Sequence, residues 1–238
     1  MWGTAQLLPI SAVIFDVDGV LLDSPHEVAW RQALAGFAEP ARLTPSLYQS
    51  VVAGKPRLDG ARAVLAALGV PASRAEEYAA AKQVVLSAMI AVGQFTVFAD
   101  GIDFLLALRG HGLKIAAASS SKNANRMLAQ IALPGGGTLL DAFDANLCGH
   151  DVQHGKPDPE IFLLAAHALG IEPARCLVVE DAGVGIAAGR AAGMRTLGIA
   201  RHGDTAMLTA AQAELVVTNL SQVDVAHLGE ARLVARHI

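Results

Sequence analysis

The sequence predicts an α/β protein, a doubly wound parallel sheet with an α-helical cap domain inserted after its first strand. Three observations lead there. Val13-Ile14-Phe15 is an apolar run that breaks off at Asp16-Val17-Asp18-Gly19, as a buried strand does when it ends at a polar site. From Gly101 onward, helical spacing alternates with short apolar runs, which implies parallel strands joined by helical crossovers. Between the two, residues 25–94 carry four helical segments in a row, so they read as one insertion, leaving 1–24 and 95–238 as the α/β core.

Taken in order, the inserted helices are expected over His26–Phe37, Pro45–Val52, Arg57–Leu68 and Ala75–Val92. Pro40, Gly54-Lys55-Pro56 and Gly69-Val70-Pro71 punctuate them, since proline ends a helix and glycine frees the turn that follows. The core then resumes with a helix over Ile102–Arg109, a strand over Lys114–Ala118, a helix over Lys122–Ile131 and an apolar segment over Phe143–Cys148. Helix Pro159–Leu169, strand Cys176–Val179, helix Gly183–Ala192 and strand Thr196–Ala200 follow. Val216–Leu228 reads as a last short strand and helix, and Gly135-Gly136-Gly137 as a flexible loop.

Composition bounds the function. The 238 residues are 53% hydrophobic, enough for a large core, yet no apolar run is long enough to span a bilayer. Met1 to Pro9 shows no basic flank and no cleavage signal, so a cytoplasmic protein is expected, and a monomer. Cys148 and Cys176 are too few for a disulfide framework. A net charge of −4 with no basic stripe argues against nucleic acid. Single cations at Arg57, Lys82, Lys122 and Lys156 suit a small anionic ligand instead.

The expected strand ends carry complementary polar groups. Asp16 and Asp18, two residues apart, would share one face of a continuing strand, and Gly19 lets the backbone turn away. Paired anions need a shared proton or a divalent metal; taken alone they also fit an acidic turn. Ser119-Ser120-Ser121 followed by Lys122-Asn123 offers hydroxyls and helix-start amides that donate to phosphate, although a serine cap alone gives the same pattern. Lys156 supplies a cation before the next helix, and Glu180-Asp181 a second acidic pair that, with Asp16, could complete an oxygen cage for Mg²⁺.

Phe15-Asp16-Val17-Asp18-Gly19-Val20, Ser119 after a strand, Gly155-Lys156-Pro157 and Val179-Glu180-Asp181 resemble, in order, the four motifs of the haloacid dehalogenase superfamily, which has a Rossmann-like core. The resemblance implies that Asp16 is the phosphoryl-accepting nucleophile and Asp18 the general acid/base. It implies that Ser119 and Lys156 hold the phosphoryl group, and that Asp16, the Asp18 carbonyl, Glu180 and Asp181 surround Mg²⁺. Dehalogenase and phosphonatase members lack an acid at the second position, so Asp18 points to phosphate esters.

Within the superfamily, His26 to Leu34 with Trp30, Gly54-Lys55-Pro56-Arg57, Lys82-Gln83 and Ser121-Lys122-Asn123 resemble the β-phosphoglucomutase-like subfamily. That implies substrate contacts from His26, Arg57, Lys82, Ser121, Lys122 and Asn123, and conversion of a hexose 1-phosphate to the 6-phosphate. A sugar-phosphate phosphatase is the alternative. The segment between Ser24 and His26 is about two residues short of the subfamily pattern, and Ser24 stands where threonine is usual, so cap closure could differ.

Two further readings are weaker. Gly183-Val184-Gly185-Ile186-Ala187-Ala188 fits a dinucleotide-binding fingerprint of an oxidoreductase, but Glu180 and Asp181 just before it would repel a pyrophosphate. Cys148, His150 and His154 fall one ligand short of a structural zinc site.

Overall fold

The computed structural model describes residues 8–52 and 55–236, in two compact units: Ser24–Phe95 and the remainder. Most of Met1 to Pro9, and Gly54 of the expected phosphate-binding stretch, lie outside the described residues.

Strand β1 (Ala12–Phe15) and the short β2 (Leu22–Asp23) precede the helical unit. That unit holds α1 (His26–Ala33), α2 (Pro45–Val51), α3 (Arg57–Ala67) and α4 (Ala75–Ala91). Helix α2 starts where the Thr44 hydroxyl accepts the Leu47 amide at 3.2 Å, with Pro45 in the first turn, where its missing N–H costs nothing. Trp30, Leu34, Leu65 and Tyr78 form the unit's own core, and the Tyr78 hydroxyl donates to the Trp30 carbonyl at 2.8 Å, so its burial leaves no orphaned polar group.

The chain returns through β3 (Thr96–Val97), antiparallel to β2, and continues as α5 (Ala99–Gly110), β4 (Lys114–Ala117), α6 (Ala124–Leu128), β5 (Ala145–Asn146) and α7 (Glu160–Leu169). It ends with β6 (Cys176–Glu180), α8 (Gly183–Ala191), β7 (Arg195–Ile199), α9 (Thr205–Ala210) and β8 (Leu215–Val217). Six described strands pair in parallel in the order β5-β4-β1-β6-β7-β8. The chain builds outward from β1 to β5, then returns to lay β6 on the other side of β1. Carboxyl ends beside β1 therefore flank the switch point where open α/β sheets bind ligands.

Both faces of the sheet are covered, which is why its strands are apolar throughout. Ile14, Ala116 and Val178 join Phe162 of α7 and Ala188 of α8 in one buried cluster. Phe15, one residue on and hence on the opposite face, meets Phe104 of α5 with ring centroids 6.0 Å apart.

The structure corrects several expected boundaries. β1 stops at Phe15, so Asp16 and Asp18 do not share a continuing strand; Asp16 extends the ladder by one bond to the Val179 carbonyl, and Asp18 lies in a turn. The helix expected over Lys122–Ile131 shrinks to Ala124–Leu128, because serine hydroxyls take the Ser121 and Asn123 amides before it. After it, Ile131 accepts from Leu139 as a hairpin closes through the glycine run. Phe143–Cys148 yields two strand residues, and the C-terminal helix is two 3₁₀ turns, Leu220–Gln222 and Val225–Glu230, each started by its own Asn219 or Asp224 cap. Among the described residues, no helix is long and apolar enough to cross a membrane.

Candidate active site

Register places the site. Phe15 pairs with Ala117 on one side and Val179 on the other, so Asp16, Ala118 and Glu180 leave three adjacent strands at one level. Lys156 reaches this level from the loop before α7. Its ammonium donates to Asp16 Oδ1 and to Glu180 Oε1, each at 2.6 Å, and to the Ala118 carbonyl at 3.4 Å. Glu180 Oε2 accepts the amides of Asp181 and Ala182, both at 3.1 Å, which fixes the carboxylate across the start of the loop into α8.

The glycines are explained by these side chains. Gly19 sits at φ +79°, and a Cβ there would lie 1.8 Å from Asp181 Oδ2, so the Asp18-Gly19 turn and the Asp181 carboxyl occupy one crowded spot. A Cβ on Gly185 would lie 1.9 Å from Glu180 Oε1. Gly185 is thus small because Glu180 crosses it, the space a cofactor fingerprint would leave for a pyrophosphate.

Burial sets the electrostatics. Asp16 is 7% exposed, and desolvation, opposed by Lys156 and assisted by Glu180, pushes its pKa up to about 6. Asp181 is held well above the usual carboxylate range by burial first, then by Glu180 and Asp16. Lys156 is raised by the two carboxylates it bridges, against its own desolvation. A carboxyl that binds its proton more tightly when folded stabilises the fold below its unfolded pKa and loses that contribution as pH rises through the folded value. The metal-free protein is therefore expected to lose stability between about pH 4 and about pH 7 relative to an Asp16→Asn variant, read as the difference in melting temperature across that range.

The other expected site residues fall into two groups. In the core unit, Ser119 is buried and its hydroxyl accepts the Ser121 amide at 3.2 Å. The Ser121 hydroxyl accepts the Asn123 amide, and Asn123 itself is buried. Lys122 is drawn outward onto Asp151 at 2.8 Å, an exposed pair. In the helical unit, Lys82 is 3% exposed and donates to His26 Nδ1 at 2.9 Å. Burial and then the Lys82 charge lower the His26 pKa to about 3, so the ring is a neutral acceptor. Arg57 is exposed at the start of α3 and donates to Gln83 at 2.7 Å. Cys148 is buried near Asp16 and Asp18, and burial pushes its thiol up to about 12, too high for a nucleophile. His154 groups with Asp158 and Glu160, not with Cys148, and both Glu160 oxygens already accept backbone amides.

A family model of haloacid dehalogenase-like hydrolases matches residues 10–193. This chain belongs to that family. It is similar to a β-phosphoglucomutase of Mycobacterium tuberculosis, 33% identical over 90% of this chain and 91% of the relative. It is also similar to a fructose-1-phosphate phosphatase of Escherichia coli, 31% identical over 77% of this chain and 93% of the relative. The crystal structure of an archaeal β-phosphoglucomutase from Pyrococcus superimposes with a TM-score of 0.76 at 32% identity, over 92% of this chain and 97% of that one. The chain is thus a haloacid dehalogenase-family enzyme of the β-phosphoglucomutase-like subfamily.

The carboxylates of Asp16, Glu180 and Asp181 influence one another at this strand-end level, and hard oxygen donors of this kind fit a divalent cation. Lys156 bridges Asp16 and Glu180 alone, while burial first and neighbouring carboxylates next raise Asp16 and Asp181, so a bound cation would find acidic oxygens that this one ammonium does not reach.

Proposed function

We propose that this enzyme transfers the phosphoryl group of a sugar phosphate through a covalent aspartyl phosphate on Asp16, as a β-phosphoglucomutase does. One observation carries the reading. Asp16 stands at the switch point of the sheet with Oδ1 held 2.6 Å from Lys156, in reach of the cation an anionic phosphate needs.

The residues would divide the work as follows. An Asp16 carboxylate oxygen attacks phosphorus as the bond to the ester oxygen breaks, and Asp18 gives that departing oxygen its proton. Lys156 and Ser119 hold the phosphoryl oxygens. In the second half, Asp18 takes the proton from the attacking hydroxyl as the phosphoryl group leaves Asp16. Mg²⁺ would be held by Asp16, Glu180, Asp181 and the Asp18 carbonyl; when bound it supplies charge neutralisation and Lewis-acid polarisation of the phosphoryl group. Addition of Mg²⁺ is expected to restore the stability lost at neutral pH. At a hundredfold excess over Kd that amounts to about 2.7 kcal/mol, and the effect should vanish near pH 4, where protons compete for the ligands.

The attacking hydroxyl decides between mutase and phosphatase. Favouring a mutase, the helical unit carries Lys82, a buried cation steadied by His26, together with Arg57, groups suited to a second phosphate. Favouring a phosphatase that uses water, Lys122 is engaged by Asp151. We favour the mutase. With β-glucose 1-phosphate, Mg²⁺ and a trace of glucose 1,6-bisphosphate, glucose 6-phosphate is the expected product. Inorganic phosphate alone would establish the phosphatase.

A further inference from the structure

We propose that Arg201 is a positioning residue for Asp18, clamping the turn that aims the general acid/base. The proposal rests on the phosphoryl-transfer reading above and adds a residue that no motif of the sequence selected. Arg201 lies two residues beyond the end of β7, and its side chain is 8% exposed. Nε donates to the Gly19 carbonyl at 3.0 Å and Nη2 to the Val20 carbonyl at 2.8 Å. Nη1 pairs with Asp100 at 3.1 Å, and the guanidinium lies 3.8 Å from the Phe98 ring centroid.

The turn's own hydrogen bonds close it from one side, and Arg201 holds it from the other. Its inner side is closed by Gly19 N–H to the Leu22 carbonyl and by Leu21 and Leu22 N–H to the Val17 carbonyl. On its outer side, successive carbonyls of Gly19, Val20 and Leu21 all accept from elsewhere: two from Arg201, and one from the Phe98 amide at 3.0 Å. Asp18 therefore sits between Val17, whose carbonyl takes the Leu21 and Leu22 amides, and Gly19, whose carbonyl takes the Arg201 guanidinium. A guanidinium fork can hold two adjacent carbonyls at once while its third arm is fixed by a carboxylate; an ammonium cannot. Asp100 is itself fixed, since its Oδ2 accepts the Leu220 amide at 2.8 Å. The clamp is thus built onto the core through Asp100, Phe98 and the Gly19 and Val20 carbonyls.

A loosened turn would misaim the acid, and a misaimed acid matters most where the leaving oxygen most needs its proton. The test compares Arg201→Lys and Arg201→Met with wild type on p-nitrophenyl phosphate, whose leaving group departs unaided, and on phenyl phosphate and β-glucose 1-phosphate, whose leaving groups do not. Asp18→Asn serves as the reference for loss of the acid. Arg201→Lys is expected to lose roughly 10–100-fold in kcat/KM, which reports the step in which the leaving group departs, on the two demanding esters, and much less on p-nitrophenyl phosphate. That is the same selectivity as Asp18→Asn in weaker form, and melting temperatures show whether each variant is folded. An equal loss on every ester, tracking a lowered melting temperature, would make Arg201 a structural residue and overturn the proposal. Wild-type turnover that survives Asp16→Asn would overturn the phosphoryl-transfer reading, and this proposal with it.

Discussion

Asp16→Asn is expected to remove phosphoryl transfer by roughly 10⁴-fold or more while leaving the fold intact. The amide has nearly the shape of the carboxyl and still offers an oxygen to Lys156, so the strand-end geometry survives. It lacks the nucleophilic oxygen, and nothing beside it replaces that oxygen: Glu180 is tied to Lys156 and to two backbone amides. Because the buried Asp16 carboxyl has its pKa raised to about 6, the neutral amide also removes a desolvation cost. The variant should therefore melt at or above the wild-type temperature near neutral pH in the absence of metal. Steady-state turnover of phosphate esters, measured beside circular dichroism melts, checks both halves; a variant that lost activity by unfolding would fail the second.

Lys156→Met is expected to cost both stability and activity. Methionine fills a similar volume, so packing beside Phe162 is largely kept, but Asp16, Glu180 and Asp181 lose the ammonium that offsets their charge. Removing one partner of a buried ion pair typically costs about 3–5 kcal/mol, because the remaining charge stays desolvated. The loss should appear in metal-free protein at neutral pH and shrink at pH below about 5, where Asp16 takes up a proton instead. Mg²⁺ should recover part of it. Activity should fall roughly 10²–10³-fold even with Mg²⁺, since a fixed charge aimed at the phosphoryl oxygens is gone. Urea denaturation at two pH values, with and without Mg²⁺, separates these effects; a stability loss independent of pH would mean that Lys156 matters for packing alone.

The parts of this molecule legible in its sequence are those where polarity changes abruptly. Apolar runs that stop at Asp16, Ser119 and Glu180 mark the ends of β1, β4 and β6, since charge is tolerated only where the sheet opens to a ligand. The helical insertion was legible from four consecutive helical segments without a strand. What escaped the sequence depends on distant partners or on very short elements. The β2–β3 ribbon is two residues a side, too short for any periodicity to register. Helix α6 lost its first turn to serine hydroxyls that read equally well as caps. Gly185 looked like a cofactor fingerprint, because only the fold shows Glu180 lying across it. Arg201 is a single charge just past an apolar strand, and its partners at Gly19 and Asp100 are 182 and 101 positions away. Lys122 pairs with Asp151, 29 positions on, a partner that no local pattern names.

Covalent capture tests the central claim most directly. Enzyme mixed with β-glucose 1,6-bisphosphate and Mg²⁺, quenched in acid within milliseconds and digested, should yield one peptide heavier by a single phosphoryl group, with the modification on Asp16. The label should be absent from Asp16→Asn and should disappear as turnover is completed. Turnover without any labelled peptide at the earliest times, or a label on a different residue, would contradict the account.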